Sequence, residues 1–355
     1  MTLLRPSCLA LVALSLPLAA QTPLFNDGPA FGGSRVFSDG LNPLGNPARY
    51  DQAPQGWHLS WLDGDQRAQD NKKILGDTLA TDPAVVDAAL RKLQDAPWAQ
   101  RTRAYGLVIA KEAAGLGFTR EEYHTSFARV DLTNLGANLA NNGSFLDGRR
   151  AIVNRIHFGG GSLAAGTAVG FGFRFERWEL GGVAPMLAQG SEGGAFPFTV
   201  PADPIVMNYA TTSVKGTHWA LDAGFTRDLA EGLRVGFMAD QLNTKRLWDV
   251  TLKPQFRAAL QLDLGPASTL TLEGDLNSAA RMPFPEKQKA MAASLRYRVS
   301  GAVTFTVGGE RRQIGEAAVT RLGATLSLRT QAFLVSFGFQ AGQDRPMKGI
   351  TAMVN

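Results

Sequence analysis

Along residues 330–340, reading TQAFLVSFGFQ, Phe333, Val335, Phe337 and Phe339 alternate with Leu334, Ser336, Gly338 and Gln340. Successive side chains of a strand point to opposite faces, so one face here is greasy and the other small or polar. The same sorting sets Leu270, Leu272 and Leu276 against Thr271, Glu273 and Asp275. It also sets Phe256, Leu260, Leu262 and Leu264 against Arg257, Gln261 and Asp263. A soluble sandwich alternates too, but its strands more often run about five or six residues. Many runs here approach the roughly 9–11 residues that a tilted strand needs to cross a bilayer. The pattern predicts an all-β fold, an antiparallel transmembrane β-barrel with its charges on the inside.

The rest of the chain is partitioned by where this alternation starts and stops. Residues 1–20 carry Arg5, an apolar run from Leu9 to Leu18 and then Ala19 and Ala20, the make-up of a cleaved secretory signal peptide. Residues 21–51 are rich in Gly, Pro and Asn but keep Phe25, Phe31, Val36, Phe37, Leu41 and Leu44. So many apolar anchors predict an irregular plug inside the barrel, because irregular backbone at membrane depth needs protein or a wet cavity around it. The barrel is expected over residues 52–341, starting with a strand at 56–63 that carries Trp57 and Trp61. A helical insertion interrupts it at about residues 65–100, where Asp82-Pro83 reads as an N-cap followed by proline at the first helical position. Val85, Val86, Ala89, Leu90 and Leu93 recur there at helical spacing until Pro97. With both termini periplasmic, this insertion sits on the extracellular side.

Less regular strands are expected between Thr102 and Leu132, a turn at Asn141-Asn142-Gly143, and strong alternation from Ala151 onward. Val169, Phe171, Phe173 and Phe175 there oppose Gly170, Gly172, Arg174 and Glu176. A long loop is expected over 181–208, then hairpins built from 219–225, 233–242, 256–264, 270–277, 290–299, 303–310, 319–329 and 332–340. At roughly 19 residues per strand and turn the count is about 14 strands, in a range of roughly 12–16. Residues 342–355 are expected as a C-terminal tail, folded back or loose, with Phe339 as the last strand's aromatic.

Composition narrows the partners. The chain is 45% hydrophobic, yet no stretch approaches the ~20 apolar residues of a spanning helix. Its apolar residues are spread by alternation instead. Outer-membrane lipid is therefore the expected surrounding, with export to the outer membrane of a Gram-negative-type bacterium. The net charge of +5 comes from scattered arginines without interleaved aromatics, which argues against nucleic acid. Cys8, the sole cysteine, falls in the signal segment, so the mature chain is expected to lack disulfides.

Gly32-Gly33-Ser34, Asp39 and Asn46-Pro47-Ala48 together resemble the amino-terminal segment of the outer-membrane FadL-like superfamily, in which a GG stretch precedes an NPA motif. Residues 232–236 (GLRVG), 252–258 (LKPQFRA) and 272–276 resemble its TraF-like branch, named after conjugal-transfer operons. The resemblance implies that the NPA segment forms a hatch, with Phe31, Gly32, Gly33, Phe37, Asn46, Pro47 and Ala48 as ligand or gate residues. It also implies transport of a hydrophobic small molecule, and it permits a structural role as partner to envelope assembly proteins. Asn42-Pro43-Leu44-Gly45 departs from the usual hydroxyl or aromatic residues of the hatch.

Candidate chemistry is sparse. His58, His124, His157 and His218 lie far apart without carboxylate or cysteine at metal-ligand spacing, so neither a metal nor a cofactor is expected. Gly159-Gly160-Gly161 lacks a following helix pattern and reads as a turn rather than a phosphate loop. His58 and Ser60 share a strand face, which allows a base and nucleophile pair in an outer-membrane lipid hydrolase. Without a nucleophile-elbow context or an orienting acid, they read instead as lumen-facing residues of a chain that is not an enzyme. Arg174, Arg257, Glu273, Asp275, Arg296, Arg298 and Arg321 are expected to line the lumen. They form either a channel lining with a mild anion preference or a set of cross-bracing salt bridges.

Overall fold

A computed structural model of the chain describes residues 34, 36, 37, 46–48, 55–66, 68–95, 97–183, 187, 213–247, 250–281, 284–315, 317–341 and 347–354. The elements are β1 (Gly56–Gln66), α1 (Ala68–Asp77), α2 (Pro83–Asp95), β2 (Trp98–Lys111), β3 (Ala114–Arg129), β4 (Phe145–Ala164), β5 (Thr167–Val183) and β6 (Ser213–Ala230). Then come β7 (Leu233–Asp240), β8 (Lys245–Leu247), β9 (Val250–Leu252), β10 (Gln255–Gly265), β11 (Ser268–Asp275), β12 (Ala279–Arg281) and β13 (Phe284–Arg298). The chain ends with β14 (Val303–Ile314), β15 (Ala317–Arg329), β16 (Phe333–Ala341) and β17 (Met347–Val354).

Setting aside the three-residue pieces β8, β9 and β12, 14 strands form a closed antiparallel barrel in chain order, β7 pairing with β10 and β11 with β13. Closure is made by β17, which pairs with β1 from Trp57↔Val354 to Asp63↔Lys348. The stretch 342–355, expected as a tail, therefore supplies the fourteenth strand. Its alternation was masked by Lys348 and Ala352, which share the outer face with Ile350 and Val354 but are not both greasy. The three glycines at 159–161, read as a turn, lie inside β4; the turn falls at Ala165-Gly166, both with left-handed φ (+50° and +74°).

Alternation holds around the ring. Phe171 (66% exposed), Phe118, Trp219, Leu272 and Phe337 stand outside, while Thr119, Glu176, Thr271 and Ser336 are buried inside. Tight turns join the strands at the end where β1 begins and β17 finishes. The opposite end carries the longer connections, apart from the two-residue link between β14 and β15.

That long-loop end is covered by two structures. In one, Asp82 accepts a hydrogen bond from the Ala84 amide (2.9 Å) and caps α2. Val86, Ala89, Leu90 and Leu93 of α2 are buried, whereas Val85 is exposed. Val86, Leu90 and Leu93 pack with Leu75 of α1, Leu139 and Leu146. Each fully buried leucine there contributes about 1.5–3 kcal/mol. In the other, the β8–β9 hairpin lays Leu247, Val250 and Leu252 on the inward-facing Ala151, Val153, Trp178 and Leu180 of β4 and β5. Among the described residues no helix is long and apolar enough to cross a membrane.

Candidate functional site: the lumen wall and its docked segment

Strand register aligns Gly161 with Gly170 and Gly170 with Gly224, so three glycines stand side by side across β4, β5 and β6. The bare strip is occupied by Asn46-Pro47-Ala48. A Cβ on Gly170 would fall 2.1 Å from the Pro47 carbonyl oxygen, one on Gly161 2.5 Å from the same atom, and one on Gly224 1.6 Å from Asn46 Oδ1. Any side chain would evict the segment, which is why these positions carry none. Asn46 is fixed by its amide. Nδ2 donates to the carbonyls of Val36 (3.2 Å) and Phe237 (3.3 Å), and Oδ1 accepts from the Ala48 amide (3.1 Å).

A second anchor lies on the next strands round, β7, β10 and β11. Val36 and Phe37 are fully buried against Met238 and Ala259, in space left by Gly236, whose Cβ would lie 2.4 Å from Val36 Cγ1. Glu273 receives hydrogen bonds from Ser34 Oγ (2.5 Å) and the Val36 amide (3.4 Å) on one carboxylate oxygen, and from Arg257 Nη1 (2.6 Å) on the other. One wall carboxylate thus joins the docked segment to the barrel's charge network.

That network runs across β3–β7 and β10–β14. Arg155 pairs with Glu121 and with Glu176 (2.8 Å), and Arg174 donates to Asp222 (2.9 Å) and Asp240 (2.6 Å). Arg257 donates to Asp275 (2.8 Å) as well as Glu273, while Arg312 donates to Glu310 (2.8 Å) and Gln288 (3.1 Å). Four arginines here serve the seven carboxylates Glu121, Glu176, Asp222, Asp240, Glu273, Asp275 and Glu310. These side chains build a braced wall. Bracing of this kind is needed, since an uncompensated charge in a filled interior is costly.

Among the expected lining residues, Arg174, Arg257, Glu273 and Asp275 meet in this network, and Arg321 is buried on β15. Arg296 is half-buried, and Arg298 is exposed at the end of β13 beside a tight turn. Of the expected gate residues, Phe37, Asn46, Pro47 and Ala48 are brought to the wall; Phe31, Gly32 and Gly33 lie outside the described residues. Arg155, Glu310 and Arg312 were missed. Arg155 alternates with Ile156 and Phe158 and was legible, whereas Arg312 lies beyond the expected end of its strand at residue 310.

β16, β17, β1 and β2 form a different wall. Their buried inward positions are Leu334, Ser336, Gly338 and Gln340, then Gly349, Thr351 and Met353, then His58, Ser60, Leu62 and Gly64, then Thr102, Ala104, Gly106, Val108 and Ala110. No Asp, Glu, Lys or Arg is among these described residues. His58 and Ser60 do share this face, but Ser60 Oγ makes no hydrogen bond, so the imidazole is not engaged as its base. Among the described residues no three His, Cys, Asp or Glu side chains gather as metal ligands.

An apolar outside around a braced polar inside is the construction of a transmembrane β-barrel. This one is a closed 14-strand barrel of the FadL-like fold. In three dimensions it is similar to the Pseudomonas putida toluene transporter TodX, at a TM-score of 0.53 and 12% identity over 95% of this chain and 98% of that one. The Ralstonia pickettii toluene transporter TbuX matches with a TM-score of 0.53 and 12% identity over 93% and 97% of the two chains. The CymD monoaromatic hydrocarbon channel does so with a TM-score of 0.53 and 14% identity over 94% and 97%. No protein-family model matches the chain, and no curated protein matches it in sequence.

Proposed function

We propose that this chain is a gated outer-membrane channel for a hydrophobic small molecule, held closed by its own amino-terminal segment. The observation that carries the reading is the docking of Asn46-Pro47-Ala48 on the row Gly161, Gly170 and Gly224. A strip of the wall is kept bare for that segment, and a seat of this kind permits release without unfolding the barrel. The likeness to hydrocarbon channels supports the cargo class. Residues 1–20 are then a cleaved export signal, and the outer membrane of a Gram-negative-type bacterium is the location. Short turns face the periplasm, while α1, α2 and the β8–β9 hairpin cover the outer mouth, in the usual arrangement of bacterial barrels.

Membership of the TraF-like branch rests on residues 232–236, 252–258 and 272–276, which fall on and between the neighbouring strands β7, β10 and β11. The chain acts as a conduit, not as an enzyme.

Uptake of radiolabelled toluene by intact cells tests this reading. Cells carrying the protein should take up toluene faster than cells without it, and deleting residues 31–48 should raise passive leakage of small solutes while the barrel still assembles. Equal uptake with and without the protein, together with loss of co-purifying envelope proteins on deletion, would overturn the channel in favour of an assembly partner.

A further inference from the structure

The neutral wall carries a row of hydroxyls that the docked segment and the ion pairs do not explain. Register places Ser327 opposite Ser336, Ser336 opposite Thr351, and Thr351 opposite Ser60, so one line of hydroxyls crosses β15, β16, β17 and β1 through the closing seam. Ser327 and Ser336 satisfy each other at 2.7 Å. Ser60 Oγ and Thr351 Oγ1, in residues 8% and 0% exposed, have no hydrogen-bond partner. Two adjacent buried hydroxyls without partners run against the general rule that interior polar groups are paired.

Their chemistry specifies what would pair them. A hydroxyl both donates and accepts, and the inward faces of β16, β17, β1 and β2 offer no described Asp, Glu, Lys or Arg. A carboxylate or ammonium ligand would be unmatched there. A neutral group that both donates and accepts would not. We infer that the Ser60–Thr351 pair binds the hydroxyl of an otherwise apolar molecule, an alcohol or a phenol, as it moves along the neutral wall. This rests on the channel reading and adds to its apolar cargo neutral molecules that carry a hydroxyl, which the wall holds more tightly.

The test compares phenol with toluene on wild-type protein and on the near-isosteric double variant Ser60→Ala/Thr351→Val, with retention of fold checked by the faster gel mobility of unheated protein. Equilibrium binding of each solute to the purified barrel is measured beside uptake of the same labelled solutes by cells. The expected result is about a tenfold loss of phenol affinity, with toluene changing less than about twofold. Unchanged phenol affinity would mean that the hydroxyls serve water or packing only, and would overturn the inference. So would equal losses for both solutes, or no phenol binding by the wild type even if toluene is transported. If cells take up neither solute yet the purified wild type binds phenol and the variant does not, the channel fails and the hydroxyl site stands.

Discussion

The two halves of the lumen wall obey the same alternation and carry opposite chemistry. Across β3–β7 and β10–β14, inward positions hold arginines and carboxylates locked at 2.6–2.9 Å. Across β16, β17, β1 and β2 they hold hydroxyls, glycines, apolar groups, the His58 imidazole and the Gln340 amide, with no described Asp, Glu, Lys or Arg. A buried ion-pair network tolerates few rearrangements, because moving one member strands another. A neutral wall imposes no such condition. The docked segment takes the first kind of surface, through Glu273 and the glycine row. On the channel reading, the second is the surface left for a passing molecule.

The largest expected effect comes from breaking the braced wall. Arg257→Ala strands Glu273 and Asp275, which share that guanidinium, and should cost about 3–5 kcal/mol. Urea unfolding followed by loss of gel heat-modifiability measures it, and a cost below about 1 kcal/mol would show that the network does not brace the barrel. Next is the outside, which both halves share. Phe337→Arg on β16 should cost roughly 2–4 kcal/mol if that position faces the bilayer midplane, and so should Leu272→Arg on β11. A large difference between the two would mean that the sectors differ in lipid contact as well as in lining.

Thr351→Val removes an unpartnered hydroxyl from the neutral wall and should change stability by less than about 1 kcal/mol, in either direction. A loss as large as that of Arg257→Ala would erase the distinction between the walls. The smallest effect lies outside both, in the β3–β4 connection. Hydrogen bonds from Thr133, then from Asn134 and the Gly143 amide, hold the Asp131 carboxyl well below the usual range. A carboxyl lowered on folding contributes order above its unfolded pKa of about 4, and loses it as pH falls. Amide exchange at Thr133 and Gly143 should therefore quicken relative to a reference loop on acidification. In Asp131→Asn that acid dependence should vanish.

The alternation of Phe333, Phe337 and Phe339, and of Leu270, Leu272 and Leu276, was enough to read a barrel of this size, because each strand writes its own two faces. α2 was legible from Asp82-Pro83 for the same local reason. What was not legible depends on pairing. Gly161, Gly170 and Gly224 become a row only once three strands are set in register, and Gly161 alone looks like a turn. The last strand, Met347–Val354, was missed because its short, mixed outer face lacks aromatics. The β8–β9 hairpin, with three residues per strand, is too brief to show a period. Ser336 reads from the sequence as a position on the small or polar face, and it lies fully buried inside beside Ser327.

The central claim is that the amino-terminal segment closes the lumen from its seat on the wall and must leave it for transport. Val36 and Ala259 offer the most direct lock. Both lie in the buried cluster that seats the segment, and Cys8, the sole native cysteine, lies in the expected export signal. In a Val36→Cys/Ala259→Cys variant, toluene uptake by cells should fall to background when the pair is oxidised and return when it is reduced. Uptake that proceeds equally with the disulfide formed and with it broken would contradict the account.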